Sequence, residues 1–72
     1  MEMNTEKHVN RKRVKSLMIL AGHSRADLAL ILGCSLGTLN NKLSGHREFT
    51  LTDLHRLSSQ YGQPIDYFFM QS

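Results

Sequence analysis

A chain of 72 residues makes one small domain, in which only about 60% of the unfolded surface can be buried. Its one cysteine, Cys34, has no partner for an internal disulfide, so the chain is expected to lack covalent staples and to work in a reducing cytoplasm. The formal charge is +3; the longest apolar runs, Leu28 to Leu32 and the equally long Leu17 to Ala21, are far short of the roughly 20 residues that cross a bilayer, and the polar start MEMNTEKHVN argues against export.

Residues 1–9 have no apolar period and read as a flexible basic arm ahead of a domain over residues 10–72. Lys7, Arg11, Lys12, Arg13 and Lys15 gather at this end against Glu2 and Glu6, while the other four bases balance four acids. Cations set against phosphates release condensed counterions, so the cluster suits an anionic partner; it equally suits a solvated face.

Ordered structure is expected to begin near Asn10. Val14, Leu17, Met18 and Ala21 recur at helical spacing and predict a first amphipathic helix that Gly22 stops. Ser24 with Asp27 resembles a capping box and starts a second helix, which carries Leu28, Ala29, Ile31 and Leu32 inward and ends at Gly33. Ser35 caps a third helix running to Ser44, with Leu39 and Leu43 on its inner face and Gly45 as terminator. Thr50 and Asp53 form another box-like cap, for a fourth helix whose buried stripe is Leu51, Leu54, Leu57 and Tyr61 and whose stop is Gly62. Pro64 suits the first turn of a short fifth helix from Ile65 to Met70. No alternating run rich in β-branched residues competes, so the fold class is all-α, a compact set of five short helices.

Gly33 and Cys34 leave so short a joint between the second and third helices that they have the spacing of a helix-turn-helix, with Ala29 small enough for a close crossing. Over residues 11–69 the chain resembles the lambda-repressor-like, Cro-type helix-turn-helix domains. The resemblance is carried by SRADLA at 24–29, LGCS at 32–35, Thr38 and Leu39, LSG at 43–45, Phe49, Leu57 and the closing GQPIDYF at 62–68. It implies a short phage regulator that binds double-stranded operator DNA, with the third helix in the major groove.

At about 100° per residue, the inward Leu39 and Leu43 turn Gly37, Asn41 and Ser44 outward, with Asn40 on the flank. Asn40 and Asn41 are the expected base readers, because an asparagine can pair in bidentate fashion with adenine N6 and N7, although a merely solvated asparagine would sit there too. Leu36 and Gly37 depart from the family, which carries long polar side chains at these positions. Leu36 could cover the end of Leu39, touch a thymine methyl, or join Gly37 in a surface for a protein. Arg25, Ser35, Lys42, Ser44, His46, Arg47, Arg11 and Arg13 are candidates for phosphate, which sets register and affinity without reading sequence. Six such contacts would make log affinity fall against log salt with a slope of about 5.

The four histidines, His8, His23, His46 and His55, stand in separate segments without ligand spacing, and no nucleophile with a base, carboxylate pair or Gly-rich phosphate loop is present. Neither metal, cofactor nor enzymatic activity is expected, and Cys34 reads as a small hydrophobe in the turn. Tyr67, Phe68, Phe69 and Met70 crowd one turn near the end. Either Phe68 closes the core with Phe69 flat over Leu57, or part of the group forms a homodimer interface or a seat for a partner repressor. Two functions compete on this basis: a sequence-specific Cro-type repressor, and a helix-turn-helix modulator that acts mainly by binding another repressor.

Overall fold

Short polar caps divide the chain into elements, and in a computed structural model residues 8–69 are described. The first helix, α1 (Arg11–Leu20), starts at Asn10, whose side-chain oxygen accepts the Lys12 N–H at 3.1 Å. A full capping box opens α2 (Arg25–Leu32): Ser24 Oγ accepts from the Asp27 N–H at 3.1 Å and Asp27 Oδ2 accepts from the Ser24 N–H at 2.9 Å. The Ser24 backbone bond, aided by its hydroxyl, holds the Asp27 carboxyl below the usual carboxylate range. Ser35 caps α3 (Leu36–Ser44), and Thr50 and Asp53 bond reciprocally at 3.0 and 2.9 Å to open α4 (Leu51–Tyr61). Each cap is worth about 1 kcal/mol.

Two of the stops govern how α3 is held. Gly33, with φ 70°, ends α2, and the Cys34 N–H returns to the Ala29 carbonyl at 3.0 Å. Gly45, with φ 94°, ends α3, and the Asn41 carbonyl gathers the N–H groups of Gly45, His46 and Arg47 at 3.1, 2.9 and 3.1 Å. A side chain at either glycine would be strained by the backbone and would strike a guanidinium, Arg56 at 2.6 Å from the Gly33 Cβ position and Arg11 at 3.1 Å from that of Gly45.

The apolar stripes meet in one core, with Val14 and Met18 from α1, Leu28, Ala29 and Leu32 from α2, Leu39 and Leu43 from α3, and Leu54 and Leu57 from α4. Val9 and Phe49 join it from outside the helices. α2 packs on both α3 and α4, and a closing 3-10 helix (Ile65–Phe69) packs on α1 and α4. No strand occurs among the described residues, so the architecture is all-helical.

Two expected core positions lie outside the core. Ala21 follows α1 as its C-cap and is exposed. Leu51 is exposed too, because Asp53, Leu54 and Leu57 set the inner face of α4 and Leu51 stands about 120° from Leu57 and about 160° from Asp53 around that helix.

The fifth helix is of the 3-10 type, with the Tyr67 N–H bonded to the Pro64 carbonyl at 3.0 Å, a pattern suited to short closing turns. Phe68 within it is fully buried, and its carbonyl accepts the Asn10 N–H at 2.6 Å. The Tyr67 ring stands edge-on to Phe68 at 5.5 Å, with the Arg13 guanidinium 4.5 Å above it. The start of α1 and the end of the domain are therefore clasped together, and Val9, at the edge of the expected arm, is buried. Lys7 and the rest of residues 1–7, together with Met70, lie outside the described residues.

Candidate nucleic-acid interface

Three residues, Gly33 to Ser35, join α2 to α3, and the two helices pack directly on one another. Burial of Leu39 and Leu43 fixes the rotation of α3 and leaves Leu36, Gly37, Asn40, Asn41 and Ser44 exposed along one surface. Leu36 and Gly37, candidates for base contact at the start of the helix, thus share this surface with the expected base readers Asn40 and Asn41.

The exposed residues differ in what they have free. Arg25, the first residue of α2, donates from Nη1 to Asn40 Oδ1 at 2.8 Å, so one of the two asparagines is tied to a cation on the neighbouring helix. Ser35 Oγ accepts the Thr38 N–H at 3.1 Å and bonds the Thr38 hydroxyl at 3.0 Å, which commits it to the cap. Ser44 Oγ donates to the Asn41 carbonyl at 3.2 Å or shares a 2.7 Å hydrogen bond with His46 Nδ1.

Cations gather at the other end of α3. His8, Arg11, Lys12 and Lys15 line one groove with Leu43 and Ser44, so the start of α1 and the end of α3 form a continuous basic surface. Arg47 and His46 are exposed just beyond. Arg25, bonded to Asn40 at the middle of α3, adds a further positive charge beside the exposed face.

Burial and packing bear on three of the expected sites. Lys42 lies at the edge of the inner face, about 60° around α3 from Leu39, and its ammonium is buried against the Asp53 carboxylate of α4 and turned away from the exposed face. Burial by itself would raise the Asp53 pKa, but the hydrogen bond and charge of Lys42 and the N–H and hydroxyl of Thr50 outweigh it and hold the carboxyl below its usual range. Arg13 lies over Tyr67 in the clasp, half-buried and away from the groove of Arg11. Phe68 cannot serve an interface, since it is fully buried, and Tyr67 and Phe69 are packed against the same core. The large apolar side chains in water are instead Ile19, Leu20, Leu30, Leu36 and Leu51.

Two pairings escaped the sequence reading. Asp53 carried a visible signal as a cap and none as a partner for Lys42, although Lys42 falls three residues after Leu39 and beside Leu43, which places it on the inner arc. The Arg25 to Asn40 bond had no sequence signal, since it depends on the crossing of α2 and α3.

Among the described residues no group of histidine, cysteine and carboxylate side chains could hold a metal ion, and no helix is long and apolar enough to cross a membrane. A family model described as helix-turn-helix matches residues 14–68, well over half of the chain. No curated protein and no solved structure matches the chain significantly.

Proposed function

This chain belongs to the lambda-repressor and Cro-like helix-turn-helix family, and on that premise we propose that it is a phage Cro-type repressor that binds operator DNA as a symmetric dimer. As a DNA-binding transcriptional regulator it needs a helix that fits the major groove and charges that meet the backbone on either side. The observation that carries the reading is the exposed face of α3, bearing Gly37, Asn41 and Ser44, with Arg25 beside its middle and Arg11, Lys12, Lys15, His46 and Arg47 near its C-terminal end.

In this reading α3 lies in the groove and Asn41 meets an adenine edge. Arg25, held by Asn40, meets one phosphate strand, and the groove of Arg11 with His46 and Arg47 meets the other. Two copies related by a two-fold axis would set their α3 helices about 34 Å apart, one turn of DNA.

A second reading is favoured by the apolar side chains left in water, Leu20 at 83%, Leu30 at 81% and Leu36 at 47% exposure, which suit a partner repressor more than bases. Fluorescence binding to duplexes from the flanking genome, with and without a neighbouring repressor, separates the two. Saturable, sequence-dependent binding by the protein alone supports the repressor. Binding that requires the second protein sinks it in favour of a modulator.

A further inference from the structure

We propose that the N-terminal tip of α3 selects thymine through its methyl group, with Leu36 as the contact and Gly37 as the clearance that admits the base. This rests on α3 being the groove helix, as proposed above, and adds the base chemistry that the tip recognises. Of the leucines on α3, Leu39 and Leu43 are buried, while Leu36 keeps 47% of its surface in water. It is the first residue of the helix, and helical side chains lean toward the N-terminus, the end whose residues meet base edges. Beside it, a Cβ built on Gly37 would meet no atom within 4 Å apart from its chain neighbours and the helix's own backbone, so no other described part of the domain covers that backbone.

The polar groups nearest the tip are already engaged. The Ser35 hydroxyl is bonded to the N–H and hydroxyl of Thr38, and Asn40 Oδ1 accepts from Arg25. Bidentate reading of adenine uses an amide oxygen and an amide nitrogen together, and in this arrangement Arg25 occupies one of the two lone pairs of Asn40 Oδ1 and fixes the direction of the amide. The first two residues of α3, Leu36 and Gly37, themselves present only an isobutyl group and bare backbone. In the major groove the feature matching that chemistry is the C5-methyl of thymine, which adenine, guanine and cytosine lack.

The test begins with duplexes selected by the wild-type protein from a random pool, resynthesised with deoxyuridine in place of one thymidine at a time. Uracil keeps every hydrogen-bonding group and loses only the methyl. At one thymidine in each half-site, or at one position if a single copy binds, affinity for the wild-type protein is expected to fall about fourfold, the effect of leaving roughly one methylene-sized group in water. Leu36→Ala should bind the thymidine duplex about that much more weakly and be indifferent to the replacement, whereas Leu36→Met, which keeps an apolar tip, should retain the sensitivity. Unchanged thermal unfolding of Leu36→Ala excludes a folding defect as the cause of its weaker binding.

If the selected sequence is bound well above random DNA yet no deoxyuridine replacement matters, the thymine proposal is overturned and DNA reading by α3 stands. A replacement effect that persists in Leu36→Ala assigns the methyl to another side chain and also overturns it. Failure of the pool to yield any preferred sequence removes this proposal together with the reading on which it rests.

Discussion

On the exposed face of α3, neighbouring residues of similar chemistry are placed in different positions to act. Asn41 has its side chain clear of the bonds that tie Asn40 to Arg25, although its carbonyl anchors the turn after α3. Asn41→Ala is therefore expected to cost roughly 1 to 3 kcal/mol at the cognate site and little on random DNA, whereas Asn40→Ala should weaken all DNA slightly by freeing Arg25. Equal effects of both variants on base preference, measured by competition binding, would contradict this division. The glycines divide in the same manner. Gly37→Ala adds a methyl in open space within a helix and should stabilise the free protein by up to about 1 kcal/mol while weakening the cognate complex. Gly45→Ala meets both the left-handed backbone and the Arg11 guanidinium, and should lower the unfolding midpoint.

Among the elements, α3 and α4 are linked by an ion pair in a place where apolar residues would ordinarily suffice. Removing Lys42 alone leaves the Asp53 carboxylate buried without its cation, a change that costs about 3 to 5 kcal/mol. Urea unfolding should show Lys42→Met to be strongly destabilised and Lys42→Met with Asp53→Thr to recover most of the loss, short of the roughly 1 kcal/mol of the α4 cap. No recovery in the double variant would mean that Asp53 matters chiefly as a cap. The same carboxylate sets a pH dependence. Its folded pKa lies below that of an unfolded aspartate, near 3.9, so its stabilisation is complete above about pH 5 and is lost as the pH falls through the lowered folded value. Asp53→Asn should flatten the acid limb of a stability-against-pH curve; an unchanged limb would assign that limb to Asp27 and the other acids.

For the molecule as a whole, the placement of charge separates binding from stability. Arg25, beside the middle of α3, and Arg47, just past its C-terminal end, are both exposed, and neutralising both is expected to weaken binding to every DNA sequence and to reduce the salt slope by about 2. Arg13→Ala should act differently, lowering thermal stability by about 0.5 to 1 kcal/mol through the lost contact with Tyr67 and leaving the slope nearly unchanged. A slope that falls with Arg13→Ala as it does with Arg25→Ala would return Arg13 to the phosphate contacts.

The boundaries of the helices were legible because they depend on local chemistry. Ser24 with Asp27, Ser35, and Thr50 with Asp53 cap N–H groups within three residues, and Gly33, Gly45 and Gly62 stop helices by their own backbone freedom. The outward face of α3 followed from Leu39 and Leu43 by rotation alone. The tertiary structure decided which of these surfaces meet. Lys42 reaches Asp53 across 11 residues and Arg25 reaches Asn40 across 15, while Phe68 leaves an apolar cluster of uncertain direction for the centre of the core. Helical period gives the direction of a side chain from its own axis but carries no information on the neighbouring axis. The crossing of α2, α3 and α4 therefore determined which cations remained free for phosphate and which became internal.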